Sequence, residues 1–155
     1  MKVIICESKK GSWFSPLYSL AMGGQTAYPH GMIYNNGYIY DATFSRGKFD
    51  RAEKVREDRT LIVFDVDGDC QDWIDNHIGA KYDTLGVLLW GLGIHVEHHF
   101  YCYEVIQRSL LSIGIDLGIK YRVNGSKIID SLLNMGYKAE VMQGLEFNKR
   151  FLNKD

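Results

Sequence analysis

Hydrophobic residues in the first half of the chain fall in short runs that are rich in β-branched side chains, as is typical of β-strands. Four such runs lie at residues 2–6, 30–34, 38–43 and 61–65. The second and third runs flank Asn35-Asn36-Gly37, and because Asn and Gly adopt positive φ angles readily, this arrangement predicts a β-hairpin. A charged stretch over residues 45–59 leads from the hairpin to the last strand.

Helical spacing of apolar residues dominates the second half of the chain. Predicted helices cover residues 15–23, 69–78, 83–92, 102–113 and 126–135. A weak strand is expected near Tyr121, with a strand or coil at the C-terminal end. Strands that cluster before helices predict the α+β class, with an antiparallel sheet packed against helices on one side. The length of 155 residues suits a single domain over 1–155.

Composition and charge limit the classes of function. Apolar residues make up 46% of the chain and charged residues 24%, which is ordinary for a globular protein. Since 18 Lys and Arg are balanced by 19 Asp and Glu, no nucleic-acid partner is expected. The first apolar run is too short for a signal peptide, and residues 85–94 reach only about half a membrane span. A soluble, cytoplasmic protein without stable membrane insertion is therefore expected, although another system could deliver it elsewhere.

The predicted hairpin puts a histidine and a carboxylate on one face. With Asn35-Asn36 as the turn, His30 lies directly opposite Asp41. With Asn36-Gly37 as the turn, Asp41 faces Met32 and lies diagonal to His30. An imidazole beside a carboxylate is the oriented general base of many nucleophilic sites. Paired His and Asp residues also occur on ordinary sheet surfaces, and that alternative stays open.

Cys102 is the candidate nucleophile among the three cysteines. It opens the predicted helix over 102–113 and lies on the apolar stripe of that helix. Unpaired N–H groups and the positive end of the helix dipole stabilise a thiolate at such a position. Cys6 suits a core position in the first strand, and acidic neighbours disfavour a thiolate at Cys70. The alternative for Cys102 is a small hydrophobic residue of the core.

Three segments resemble a known family. The sequences PHGMIY…YIYDAT, GAKYDTLGVL and FYCYEVIQRSL are similar to the circularly permuted branch of the NlpC-type, papain-like cysteine hydrolases, whose relatives include the lecithin–retinol acyltransferase group. With the predicted helix at 126–135, the resemblance spans most of the chain. It implies a papain-like α+β fold, a peptide or peptide-like substrate, and no metal or other cofactor.

The resemblance also implies a role for each site residue. Cys102 would attack a carbonyl as a thiolate, and His30 would take the thiol proton while Asp41 fixes the imidazole. Tyr82, in a Gly-x-x-Tyr-Asp element, would help to hold the oxyanion. Tyr103 replaces the Ser that usually follows the cysteine and would narrow the cleft. The expected reaction is cleavage of an amide bond in a peptide, a cell-wall peptide or a peptide-like conjugate.

Other functions stay open from the sequence. The same fold hosts lipid acyl hydrolases and acyltransferases, for which residues 87–90 would form an apolar groove mouth, and it hosts inactive binding modules. Residues 65–69 (DVDGD) imitate the nucleophile motif of magnesium-dependent phosphatases, but Asp69 replaces the phosphate-binding Thr. Residues 95–99 (HVEHH) with Cys102 form a weaker candidate for a transition-metal site.

Overall fold

A computed structural model describes residues 1–7, 28–88, 98–120 and 123–152. In chain order its elements are β1 (Lys2–Cys6), β2 (His30–Asn35), β3 (Tyr38–Thr43), β4 (Lys48–Ala52), β5 (Thr60–Asp65), α1 (Gln71–His77), α2 (Thr84–Leu88), α3 (Cys102–Ser112), α4 (Gly125–Asn134), β6 (Ala139–Gln143), α5 (Gly144–Phe147) and a π-helical turn (Asn148–Leu152). The predicted helix at 15–23, the end of the helix predicted at 83–92 and the predicted strand near Tyr121 lie outside the described residues.

The six strands form one antiparallel sheet in the order β4-β3-β2-β1-β5-β6. The hairpin of β2 and β3 closes through Asn36 and Gly37, whose φ angles of 48° and 90° are those of a type I′ turn. Ile33 is paired with Tyr40, and this register places Asp41 diagonal to His30. The coarse prediction of an α+β fold with an antiparallel sheet is confirmed.

Side chains alternate along the strands and divide the core into two layers. The first face of the sheet carries residues such as Val3, Ile5, Ile33 and Tyr40, and these pack against α1, α3 and α4. The second face carries residues such as Ile4, Met32, Ile39 and Val63, which pack against the C-terminal segment through Phe147 and Phe151. The sequence predicts helices on one side of the sheet, whereas the structure covers part of the other side as well.

A buried asparagine holds the second layer together. The side chain of Asn148 donates to the Val55 carbonyl at 2.8 Å and accepts from the Val55 N–H at 3.0 Å. These bonds fix the loop that follows β4 over the second face of the sheet. β4 itself lies inside the charged stretch at 45–59, and the sequence does not predict it because Phe49 is its one buried residue.

Helix α3 packs closely against the start of β2. A Cβ atom added to Gly31 would lie 2.6 Å from Cδ1 of Ile106, so a glycine is required for this approach. At the first turn of α3, Glu104 accepts a hydrogen bond of 3.2 Å from the N–H of Tyr101. None of the helices in the described part of the chain is long and apolar enough to cross a bilayer.

Candidate active site

His30 and Asp41 form a hydrogen-bonded pair on the second face of the sheet. Nε2 of His30 lies 2.8 Å from Oδ2 of Asp41. The side chain of Asp41 is 6% exposed and that of His30 is 28% exposed. The imidazole therefore reaches solvent while the carboxylate that orients it does not. The structure brings these two predicted site residues together.

Arg46 provides the counter-charge for the buried carboxylate. Its guanidinium pairs with Oδ1 of Asp41 and also donates to the carbonyl of Arg51 at 2.9 Å. The guanidinium therefore balances the charge of the buried carboxylate independently of His30. A neutral His30 then carries its proton on Nε2, which donates to Asp41, and Nδ1 is left as the basic nitrogen.

A cavity of about 390 Å³ adjoins the His30–Asp41 pair. Its apolar lining includes Met32, Ala52 and Val55. Its polar lining includes Cys6, His30, Asp41, Arg46, Lys54, Arg56 and Arg59. A molecule bound in this cavity would lie against the imidazole, so the cavity is the candidate substrate site.

Cys102 is the first residue of α3, as the sequence predicts, but it lies in the core of the first face. It is 2% exposed and clusters with Ile33 and Val105. It is absent from the described residues that line the cavity. Within the described ranges, no hydrogen bond or ion pair joins Cys102 to His30. The third predicted catalytic residue is therefore on the opposite face of the sheet from the other two.

Tyr103 holds the start of α3 against the start of β2. Its hydroxyl donates to the carbonyl of Tyr28 at 2.5 Å, two residues before His30. The ring of Tyr103 is completely buried and lies 2.9 Å from the Cβ that Gly31 lacks. The residue predicted to narrow a cleft thus has a packing role in the core. Cys102 and His30 begin their elements at the same end of the sheet, and their side chains belong to different faces.

Tyr82 lies close enough to Cys102 for their charges to interact. Burial raises the pKa of the Tyr82 hydroxyl far above its usual range, and negative charges on Cys102, Asp83 and Glu104 raise it further. The hydroxyl consequently stays protonated at neutral pH and can donate a hydrogen bond. Tyr82 forms a parallel β-bridge with Phe100, two residues before Cys102, so the structure places Tyr82 and Cys102 in the same region.

Two acidic residues surround the Tyr82–Cys102 pair. Asp83 is completely buried, and its Oδ1 accepts a 2.8 Å hydrogen bond from the N–H of Gly86. Burial raises the pKa of Glu104 to about 7; the Tyr101 N–H opposes the shift, and Asp83 adds to it. Glu104 therefore titrates close to neutral pH within the first turn of α3.

Cys6 is a candidate residue that the sequence reasoning missed. It is the cross-strand partner of His30 and lines the same cavity. Burial raises the pKa of the Cys6 thiol to about 12; the charge of Arg59 opposes this shift, a negative charge on Cys102 adds to it, and Arg56 also opposes it. Alternation within β1 does not reveal this placement, because it depends on which strand pairs with β1. The signal appears only once the register of β1 against β2 is known.

The acidic turn that imitates a phosphatase motif has a structural role. Asp69 accepts hydrogen bonds from the side chains of Asn35 and Asn36 and from the N–H of Gln71. These bonds lower the pKa of Asp69, with the contribution of Asn35 the largest. The turn thus ties the β2–β3 hairpin to the start of α1, whose N-cap residue is Cys70.

Two alternatives from the sequence, the transition-metal site and the apolar groove mouth, lie partly outside the described residues. Residues 95–97 of the HVEHH segment lie outside the described residues, as do residues 89 and 90 of the proposed groove mouth. Among the residues that the structure does describe, no three His, Cys, Asp or Glu side chains form a group that could hold a metal ion.

Comparisons with protein-family models, with curated proteins and with solved structures find no match. Any assignment of family and activity therefore depends on the sequence motifs and on the geometry of the His30–Asp41 site.

Proposed function

We propose that this protein is a cysteine hydrolase with a papain-like fold, which cleaves an amide bond in a peptide or a peptide-like conjugate. The observation that carries the proposal is the 2.8 Å contact of His30 Nε2 with Asp41 Oδ2 beside a cavity. A sheet that bears this pair and a helix that begins at Cys102 are the elements that the resemblance to NlpC-type hydrolases implies.

The proposed reaction proceeds through a thioester. Nδ1 of His30 takes the proton of the Cys102 thiol, and the sulfur attacks the substrate carbonyl carbon. Asp41 stabilises the resulting imidazolium through Nε2–H. The negative oxygen accepts hydrogen bonds from the N–H of Cys102 and from the hydroxyl of Tyr82. The amine leaves with the proton of His30, and water, deprotonated by His30, then hydrolyses the thioester.

The burial of Cys102 sets the condition that this mechanism must meet. Its side chain is on the first face and is 2% exposed, while the imidazole of His30 is on the second face. The sulfur must reach Nδ1 around the end of the sheet at which β2 and α3 begin. The proposal therefore requires Cys102 to become accessible to small molecules in solution.

The register of the sheet favours Cys6 as a second candidate for the nucleophile. Its Cα faces that of His30, and both residues line the cavity. Against this role, its thiol has a pKa raised to about 12 by burial, so almost no thiolate forms without a base. Cys6 would then attack the substrate in the same hydrolase reaction, with its sulfur and the imidazole of His30 on the same face of the sheet.

Acylation by p-nitrophenyl acetate tests the proposal, because the ester needs no knowledge of the natural substrate. We expect a burst of p-nitrophenol and an acetyl thioester that peptide mapping by mass spectrometry locates on Cys102. Cys102→Ala should abolish the burst, and His30→Ala should slow it about 100-fold or more. Cys70→Ala is the matched control, since Cys70 is also buried but lies outside the cavity.

Two other outcomes would overturn parts of the proposal. An acetyl group on Cys6, lost in Cys6→Ala and kept in Cys102→Ala, would make Cys6 the nucleophile. Acetylation of neither cysteine, with the protein folded, would contradict a hydrolase and favour a binding module.

A further inference from the structure

The cavity beside His30 has a strong excess of positive charge. Among the residues that the structure describes, four basic side chains line it, Arg46, Lys54, Arg56 and Arg59, against the single carboxylate of Asp41. The excess is local, because the whole chain has 18 basic and 19 acidic residues. Arg46 is committed to Asp41, so the other three basic residues are the ones available to a ligand.

Two of these basic residues have only weak acidic partners. Nζ of Lys54 lies 3.2 Å from Oε1 of Glu57. Nη2 of Arg56 lies 3.3 Å from Oδ2 of Asp58. The side chains of Lys54 and Arg56 are 65% and 70% exposed. Exposed ion pairs of this kind contribute little, since water competes for both charges. A ligand anion could therefore replace these partners at small cost.

Arg59 is half-buried and, among the described residues, has no carboxylate partner. Its Nη1 donates to the carbonyl of Glu7 at a long 3.5 Å. The charges of Arg59 and Arg56 both act on the thiol of Cys6, which faces His30 across the strands. The two guanidinium groups are thus within electrostatic reach of the position where a substrate would meet the imidazole.

We infer that the cavity is an anion subsite in which Arg56 and Arg59 bind a carboxylate or a phosphate group of the ligand. Guanidinium groups bind both anions with paired hydrogen bonds. Met32 and Val55 would contact the apolar part of the same ligand. That this ligand is the substrate rests on the proposed function. In that case the amide bond that is hydrolysed lies next to a negatively charged group of the substrate.

Titration of the folded Cys102→Ala chain with small anions tests the subsite without any acyl transfer. The probes are glutarate, inorganic phosphate and glutaramide, the last being a neutral counterpart of glutarate. We expect saturable shifts of the His30 ring signals in NMR spectra with an anion and none with glutaramide, and weaker binding at high salt. Tighter binding of phosphate than of glutarate would identify a phosphate-bearing ligand, and the reverse order a carboxylate.

Charge-removing variants locate the site. Arg56→Gln and Arg59→Gln should each weaken anion binding about tenfold, equivalent to losing one charged hydrogen bond. Arg150→Gln makes the same charge change outside the cavity, where Arg150 pairs with Glu140, and should leave binding unchanged.

Equal weakening in all three variants, or no saturable shift in the Cys102→Ala chain, would overturn the inference. Acylation without anion binding would contradict the subsite alone, and anion binding without acylation would contradict the hydrolase alone.

Discussion

At the scale of single residues, His30 and His77 differ in the ring nitrogen that their neighbours contact. Asp41 lies 2.8 Å from Nε2 of His30, and the carbonyl of Trp73 lies 2.7 Å from Nδ1 of His77. Both acceptors lack a proton, so a neutral ring must hold its own proton on the contacted nitrogen. The two histidines should therefore adopt opposite tautomers, and the tautomer of His30 is the one that leaves Nδ1 as a base.

Nitrogen NMR of the imidazole rings at a pH where they are neutral checks this expectation. His30 should be protonated on Nε2 and His77 on Nδ1. Asp41→Asn should change the tautomer balance of His30, because an amide can donate as well as accept, and should leave His77 as it is. A wild-type His30 protonated on Nδ1 would contradict the proposed role of that nitrogen.

Glu104 should make the stability of the fold depend on pH. Burial raises its folded-state pKa to about 7, whereas a glutamate in an unfolded chain titrates near about 4.3. Between these values the unfolded chain releases the proton first, so the free energy of unfolding falls as pH rises from about 4.5 to 7. Since Glu104 is partly exposed, the loss should be on the order of 2 kcal/mol.

Urea unfolding of Glu104→Gln across this pH range measures the effect. The glutamine still accepts the hydrogen bond from Tyr101, but it does not titrate, so this part of the pH dependence should disappear. Glu140→Gln is the control, because Glu140 is exposed on β6. Identical pH profiles for Glu104→Gln and the wild type would show that Glu104 titrates normally.

At the scale of secondary-structure elements, the hairpin and α3 could be predicted, but their packing could not. Strand alternation puts His30 and Asp41 on one face with either two-residue turn, and helical spacing puts Cys102 at the start of α3. Neither pattern predicts which face of the sheet α3 covers. Gly31 decides this, because its missing side chain admits α3 on the face opposite His30.

A substitution at Gly31 tests the packing of α3. Gly31→Ala places a Cβ 2.6 Å from Cδ1 of Ile106 and should destabilise the protein by about 1–3 kcal/mol, as overpacking does. Ile106→Val removes Cδ1, so the double variant should regain part of that loss in urea unfolding. Additive losses in the double variant would place α3 away from Gly31 and reopen its position relative to His30.

At the scale of the whole molecule, the site depends on pairings between distant parts of the chain. Cys6 faces His30 only because β1 lies between β2 and β5. The loop with Arg56 and Arg59 reaches the cavity because Asn148 binds Val55 from the C-terminal segment. Local patterns do not encode such pairings, so the charged stretch at 45–59 gave no sign that it forms an edge strand and a cavity wall.

The proposed reaction requires the Cys102 sulfur to reach Nδ1 of His30, although Cys102 is buried in the core of the first face. Alkylation by iodoacetamide at pH 6, mapped by mass spectrometry, tests this requirement most directly, since at this pH an unassisted thiol reacts slowly. We expect selective labelling of Cys102, slowed in both His30→Gln and Asp41→Asn. Labelling of Cys6 in place of Cys102, or equally slow labelling of all three cysteines, would contradict the proposed reaction.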